Sequence, residues 1–286
     1  MELEVLKSKE DESINFIIKG NTDKNFQECR YVRRRPNYFV CYLSCQDSCK
    51  MGCRMCFLTI TNQREGNNMS IDSILNQAQL VFNHYTTQPK ADTVHFSFQA
   101  RGEFLDTSLD SNELFWKLGK LALKYDVKPR FMVSTIMPKA LKDIELKDRF
   151  SLIHPNIYYS IYSTDEKFRK KWLPSALPTD IALTKLKNYQ YHSNKIIKLH
   201  WAFISAENDS KDSINNIIDA VNKVNLRVDV NIVRYNPYSK EYGEETDETV
   251  IIEHSKTLRN AWPNSKIKIV DRIGKDVNAS CGMFTS

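Results

Sequence analysis

The hydrophobic residues of this chain recur in two spacings, and segments with one spacing alternate with segments of the other. Short apolar runs rich in β-branched and aromatic residues predict strands. These predicted strands are residues 38–43, 92–98, 131–135, 156–163, 195–205, 227–235 and 266–272. Longer segments with apolar residues three and four positions apart predict helices. These predicted helices are residues 70–85, 110–125, 138–146, 165–172, 179–191, 210–224 and 246–261.

Repeated strand–helix units predict an α/β fold with a parallel sheet. Six or so such units favour a single-domain partial (βα)6 TIM-like barrel over a doubly wound sheet. The chain contains only eight glycines, with no G-x-G-x-x-G or Walker A motif, so a dinucleotide or P-loop site is not supported. In such barrels the active site lies at the carboxyl ends of the strands. We therefore expect the polar residues that follow the predicted strands to meet at one end of the barrel, which we call its mouth.

Composition and charge are those of an ordinary globular protein. Hydrophobic residues make up 41% and charged residues 27% of the 286 residues, which excludes disorder as the main state. The net charge of +6 permits an RNA or phosphate partner without demonstrating one. The chain has no apolar stretch long enough for a membrane span, and its first residues are acidic with no apolar core of a signal peptide. We expect a cytoplasmic protein that does not enter a membrane.

The seven cysteines are concentrated, with five of them between residues 41 and 56. Cys49, Cys53 and Cys56 form a CxxxCxxC motif, and three thiolates on one short loop can hold three irons of a [4Fe–4S] cluster and leave the fourth iron open. Zinc is an alternative, because Cys45 or Cys41 could complete a set of four ligands. Disulfides are disfavoured in a chain without an export signal. It is less plausible that the five are unrelated buried cysteines, because they lie so close together.

The CxxxCxxC spacing, followed by the aromatic residue Phe57, is the signature of the radical SAM superfamily. The sequence CYLSCQDSCKMGCRMC over residues 41–56 resembles more narrowly the RlmN/Cfr family, whose members methylate C2 or C8 of adenine in RNA. Several other segments resemble motifs of that family in the same order. They are residues 101–106, 133–138, 158–174, 233–239 and 272–285.

The chain departs from the family pattern at four points. Phe104 replaces a proline, Tyr162 replaces a histidine, and one extra residue separates Cys41 from Cys49. Only 27 residues precede the first match, so we expect a shortened form without the family's N-terminal accessory domain. The expected organisation is a short extension over residues 1–27 and a radical SAM methyltransferase core over residues 28–286.

The resemblance implies an enzyme that methylates an sp² carbon of adenine, C2 in preference to C8, in 23S rRNA or tRNA. It implies a [4Fe–4S] cluster, two molecules of S-adenosylmethionine (SAM) per turnover, and an electron donor such as flavodoxin or ferredoxin. The enzyme is expected to act as a monomer. Two other functions remain open: a radical SAM enzyme with a non-RNA substrate, and a zinc-binding RNA module that is not an enzyme.

By the same resemblance, Cys281 is the methyl carrier. One SAM would methylate its thiolate, and a 5′-deoxyadenosyl radical from a second SAM would remove a hydrogen from the S-methyl group. The methylene radical would then add to the adenine. Cys41 would release the adduct by forming a disulfide with Cys281, with Cys45 as the rival, and Glu28 would remove the proton from the adducted carbon. Otherwise Glu28 is a salt-bridged residue beside Arg30.

Six further residues are implied to bind SAM. Gly102 allows close approach of the backbone, and the carboxylate of Glu103 would pair with the amino group of SAM. The others would reach its ribose or carboxylate, although a serine at a strand end is more often a helix cap; they are Ser134, Ser160, Tyr162 and Asn236.

Basic and aromatic residues interleave in two segments, residues 30–40 and 166–173. Their cations could meet RNA phosphates, and Tyr31 or Trp172 could stack on a base. Such basic runs are usually only solvated surfaces. The candidate phosphate contacts are Arg33, Arg34, Arg35, Lys167, Arg169, Lys170 and Lys171.

Overall fold

The structure is a computed structural model that describes residues 2–20 and 26–285. One ten-stranded sheet runs through it, with its strands in the order of the sequence. The strands are β1 (Glu2–Lys7), β2 (Ile14–Lys19), β3 (Phe26–Arg35), β4 (Tyr38–Tyr42), β5 (Thr93–Phe98), β6 (Lys128–Thr135), β7 (Asn156–Tyr159), β8 (Ile197–Ala202), β9 (Val228–Val233) and β10 (Ile267–Ile269). Strands β4 to β10 are parallel, which confirms the predicted partial barrel.

The first three strands were missing from the prediction. β1, β2, β3 and β4 pair in antiparallel order, so residues 2–19 extend the same sheet at its edge. Buried polar residues such as Asn15 and Glu28 interrupt the apolar pattern of these strands and conceal it from a periodicity analysis. The division into an extension and a core at residue 27 stays a prediction; residue 1 and residues 21–25 lie outside the described part of the chain.

Helices lie between the parallel strands, and the bounds of most of them are close to the predicted ones. They are α1 (Phe57–Ile60), α2 (Ile71–Tyr85), α3 (Ser111–Lys124), α4 (Leu146–Arg149), α5 (Glu166–Trp172), α6 (Thr179–Ser193), α7 (Lys211–Lys223) and α8 (Glu248–Ala261). The predicted helix over residues 138–146 is wrong: a 3-10 turn at Lys139–Leu141 precedes α4. Leu141 and Leu146 are both buried but lie five positions apart, so one straight helix could not turn both to the core.

The two faces of the parallel sheet differ in character. Along β4, Phe39 and Cys41 belong to the apolar core beneath the helices, and Phe39 contacts Phe82 of α2. The alternate residues Tyr38 and Tyr42 face a cavity of about 500 Å³ on the other side of the strand. The inner face of the barrel is therefore open and polar. Among the described residues, no helix has the length and apolar character needed to cross a membrane.

Candidate active site

The CxxxCxxC loop lies between β4 and α1, at the carboxyl end of the first parallel strand. Cys49, Cys53 and Cys56 are partly buried. Burial and the neighbouring Cys56 raise the pKa of Cys49 to about 12, and burial together with Cys49 and Cys56 raises the pKa of Cys53 well above its usual range. The three thiols therefore lie close together where negative charge is unfavourable. A bound metal cluster would reverse these shifts, because it stabilises thiolates.

The three thiols of the loop match the three protein ligands of a [4Fe–4S] cluster that keeps one iron open. In the described part of the chain, no three His, Cys, Asp or Glu side chains converge closely enough to hold one metal ion. The thiolates of a [4Fe–4S] cluster bind separate irons, so they lie farther apart than the ligands of one ion. Cys41, offered above as a fourth zinc ligand, packs in the helix-side core.

Gly102 and Glu103 follow β5 beside the cysteine loop. Gly102 has φ +100°, and a Cβ atom there would lie 2.7 Å from Gln46 Cβ and 2.9 Å from Cys45 Sγ, so only glycine fits. Glu103 accepts hydrogen bonds from the backbone N–H groups of Leu105 (3.2 Å) and Ile136 (3.1 Å). Burial raises the pKa of this carboxyl to about 7. A carboxyl in such a place is suited to an ammonium group, whose charge would lower that pKa again.

The other candidate SAM ligands surround the same mouth. Ser134 Oγ and Asn236 Oδ1 are buried and have no hydrogen-bond partner, and Ser160 is half-buried at the end of β7. Tyr162 has φ +51°, and burial, Cys281 and Cys53 raise the pKa of its hydroxyl well above its usual range. Tyr162 therefore lies close to both Cys281 and the cysteine loop. Unsatisfied polar atoms at a mouth of this kind indicate a polar ligand.

The C-terminal segment, residues 279–285, brings Cys281 to the mouth. The backbone N–H of Phe57 donates to the carbonyl of Gly282 (3.0 Å), and Asn236 Nδ2 donates to the carbonyl of Cys281 (2.9 Å). Cys281 also lines the cavity inside the barrel. The segment thus lies between the cysteine loop and the cavity.

Glu28 lies beneath this segment rather than in the cavity wall. Its carboxylate accepts from Arg101 Nη2 (2.8 Å), Arg30 Nη2 (2.9 Å) and the backbone N–H of Thr285 (2.9 Å). Burial alone would raise its pKa, but Arg101 and Arg30 hold it below its usual value. Arg30 and Arg101 also donate to the carbonyls of Met283 and Thr285. This cluster of Glu28, Arg30 and Arg101 anchors the C-terminal segment.

Comparison with known proteins gives relatives along the whole chain. A probable dual-specificity RNA methyltransferase RlmN of Clostridium botulinum is 23% identical over 285 residues, covering 98% of this chain and 77% of the relative. The protein of the same name from Clostridium beijerinckii is 25% identical, covering 99% and 76%. No family model matches the chain.

The solved structures with similar folds include a radical SAM methyltransferase from Sphaerobacter thermophilus. Its TM-score is 0.80 at 15% identity, covering 98% of this chain and 80% of that one. A spore photoproduct lyase has a TM-score of 0.51 and covers 77% of this chain. The chain is therefore similar along its whole length to proteins named as RNA methyltransferases, and it shares the fold of a radical SAM methyltransferase. This similarity implies a [4Fe–4S] cluster and SAM as cofactors.

The structure does not bring together two cysteines that the RlmN-like reaction was expected to pair. Cys41 is fully buried on the helix side of β4, and Tyr42 faces the cavity in its place. Cys45 lies beneath Gly102, with its Sγ 3.6 Å from the carbonyl oxygen of Arg101. The extra residue between Cys41 and Cys49 is the signal for this change, because one residue turns a strand side chain to the opposite face.

Most of the cationic cavity wall was not predicted from the sequence. Strands β3, β6, β8 and β10 place positive side chains around the cavity, namely Arg30, Arg34, Arg35, Arg130, Lys198 and Lys268. Burial, Arg34 and Lys198 lower the pKa of His200 to about 4, and its Nδ1 has no hydrogen-bond partner. Arg34 and Arg35 were among the expected phosphate contacts. The other cationic residues are scattered along the sequence, and strand alternation is the signal that could have found them.

Several of the residues expected to contact RNA are instead buried or hydrogen-bonded within the protein. Tyr31 and Trp172 are 0% and 1% exposed, so neither can stack on a base. Arg169 donates to the carbonyls of Ile161, Ser163 and Leu177. Arg33 donates to the carbonyls of Pro36, Pro89 and Lys90. Arg34 and Arg35, in contrast, do reach the cavity.

Proposed function

We propose that this protein is a radical SAM enzyme that methylates an sp² carbon of adenine in RNA and carries the methyl group on Cys281. C2 is the proposed position in preference to C8, and 23S rRNA or tRNA the proposed substrate. We further propose that it acts in the cytoplasm as a monomer, with flavodoxin or ferredoxin as electron donor. The named relatives are RNA methyltransferases, which supports the substrate class.

The observation that carries the proposal is the position of Cys281. Its thiol lies near the CxxxCxxC loop, since Cys281 contributes to the raised pKa of Cys56, and it also lines the cationic cavity. A thiol between the cysteine loop and the cavity could accept a methyl group on one side and meet a substrate on the other. The location of Cys281 therefore supports transfer of the methyl group through a cysteine.

The residues around the mouth would have different roles in the reaction. When bound, the cluster at Cys49, Cys53 and Cys56 and the SAM beside Glu103 would supply the methyl group and the radical chemistry. The thiolate of Cys281 would accept the methyl group by displacement. Burial raises the pKa of this thiol, and Arg30 and Arg34 offset part of that rise. Cations around the cavity would attract the RNA backbone.

The deciding experiment measures Cys281 and RNA together. The protein is produced with iron supplied, the peptide containing Cys281 is weighed by mass spectrometry, and digested cellular RNA is searched for C2- or C8-methyladenosine. We expect one added methyl on Cys281 and a new methyladenosine, both absent in Cys53→Ala, and the methyladenosine absent in Cys281→Ala. An unmodified Cys281 in protein that still cleaves SAM would show a radical SAM enzyme with another substrate.

A further inference from the structure

Releasing a methylene carbon from the sulfur of Cys281 requires a second sulfur, and the structure accounts for every cysteine that could provide it. The chain has seven cysteines, all within the described residues. Three belong to the CxxxCxxC loop and one is Cys281. The remaining candidates are Cys29, Cys41 and Cys45.

Cys29 and Cys41 lie on the face of the sheet opposite the cavity. On β3, Arg30 faces the cavity, so its neighbour Cys29 points to the opposite side. On β4, Val40 and Tyr42 line the cavity, so Cys41 between them also points to the opposite side, and both thiols are 0% exposed. The β-sheet itself separates these two sulfur atoms from the cavity that Cys281 lines.

Cys45 is confined by the loop that follows β5. Its side chain is 1% exposed, and its Sγ would lie 2.9 Å from a Cβ atom at Gly102. It is in contact with the carbonyl of Arg101 and does not line the cavity with Cys281. No cysteine in the described chain is therefore placed to attack Cys281 from the cavity.

Tyr42 is the β4 side chain that faces the Cys281 region. It is paired with Arg30 in the β3–β4 register and lines the cavity. Arg30 in turn donates to the carbonyl of Met283 (2.8 Å), two residues after Cys281. A phenol cannot form a disulfide, so the residue at this position cannot perform thiol exchange.

We infer that the adduct on Cys281 is released by a low-molecular-weight thiol from solution, an inference that rests on the proposed function. The cavity gives such a molecule a path, because its wall reaches the surface at the exposed residues Asn37, Lys268 and Asp271. Its cationic lining stabilises an approaching thiolate, which is the nucleophilic form.

The release step balances with two molecules of thiol. The sulfur of the first thiolate attacks Sγ of Cys281, a sulfur–sulfur bond forms, and the bond between Sγ and the methylene carbon breaks. The electron pair of that bond goes to the carbon, which takes a proton and becomes the methyl group of the adenine. Cys281 is left oxidised in a mixed disulfide, which the second thiol reduces to the free cysteine and a small disulfide.

The test follows release with and without added thiol. Cluster-containing protein is incubated with SAM, total RNA from a bacterial strain without C2-methyladenosine, and reduced flavodoxin in a thiol-free buffer. We expect a protein–RNA adduct on Cys281 to accumulate, with less than one methyladenosine released per enzyme. Adding reduced glutathione should raise the released methyladenosine to several per enzyme and produce a glutathione–Cys281 disulfide detectable by mass spectrometry.

Variants separate the solution thiol from an internal one. Tyr42→Cys places a thiol on the cavity side of β4, and we expect it to release close to one methyladenosine per enzyme without glutathione. Tyr42→Ser is the matched control and should still need glutathione. Cys41→Ala should respond to glutathione as the parent enzyme does, with Cys29→Ala as the control for removing a fully buried thiol from the same core.

The outcomes are distinct. Repeated turnover in the thiol-free buffer, or loss of release in Cys41→Ala but not in Cys29→Ala, would overturn this inference and leave the proposed function intact. A Cys281 that never carries a methyl group, in protein that cleaves SAM, would overturn both.

Discussion

The environment of Glu28 decides what its carboxylate can do. Its side chain is 0% exposed, and its two oxygens are occupied by Arg30, Arg101 and the backbone of Thr285. A general base needs a free lone pair within reach of the proton it removes. The geometry therefore supports a positioning residue that holds the segment carrying Cys281, and the role of base stays a prediction.

Glu28→Gln tests this assignment. The substitution keeps the size of the side chain but leaves two buried guanidinium groups without their counter-charge, so we expect the free energy of unfolding in urea to fall by about 3–5 kcal/mol. Glu113→Gln, which breaks the exposed pair with Lys117, is the matched control and should leave the unfolding curve unchanged. Unchanged stability with a specific loss of product release would instead support Glu28 as the base.

Glu103 makes stability depend on pH. Burial raises the pKa of its folded-state carboxyl from 4.5 to about 7, so the folded state favours the protonated form. This contribution is complete below pH 4.5 and is lost as the pH rises through 7, a change on the order of 3 kcal/mol. Urea unfolding of the parent and of Glu103→Gln should therefore diverge between these pH values, with the parent losing stability. Parallel curves would show that Glu103 does not titrate in this range.

At the scale of elements, the C-terminal segment has little secondary structure of its own and is held by contacts with other parts of the chain. The start of α1, strand β3 and the loop after β5 all bond to its backbone. Gly282 allows the turn after Cys281, because its φ of +79° lies in the left-handed region that favours glycine. The position of Cys281 thus depends on these contacts together with the turn that Gly282 allows.

Gly282→Ala should cost about 1–2 kcal/mol through backbone strain alone. The new Cβ atom would meet its nearest atom, the carbonyl oxygen of Met55, at 3.6 Å, so no steric clash adds to that cost. We also expect methylation of Cys281 to fall several-fold, measured by mass spectrometry at equal times. Gly119→Ala in the middle of α3 is the control; it should stabilise the protein and leave Cys281 methylation as it was.

At the scale of the whole molecule, positive side chains that are far apart in the sequence lie together around the cavity of the barrel. Arg34 comes from β3, Arg130 from β6, Lys198 from β8 and Lys268 from β10, yet all line one cavity. The net charge of +6 is therefore less informative than its placement. A cavity wall of this kind should make RNA binding strongly dependent on salt.

Arg34→Gln should weaken binding of a single-stranded RNA and lower the slope of log K against log salt by about 0.7. Fluorescence anisotropy at several salt concentrations gives that slope. Lys124→Gln removes a positive charge from the exposed end of α3, away from the cavity, and should change neither quantity. An equal effect of both substitutions would place RNA binding elsewhere.

The sequence by itself determined the alternation of strands and helices, because each element carries its own hydrophobic period. It also determined the cysteine loop, because Cys49, Cys53 and Cys56 lie within eight residues and their spacing is a local property. The need for glycine at position 102 is not local in this sense, because the atoms that a side chain would meet there belong to Cys45 and Gln46.

Only the tertiary structure decided which residues meet. Glu28 and Arg101 lie 73 positions apart, and Cys281 reaches the loop through contacts that no local pattern encodes. The face on which Cys41 lies depends on strand register, where a shift of one residue reverses the direction of a side chain. Local periodicity fixes the element to which a residue belongs, whereas long-range packing fixes its neighbours and hence its chemistry.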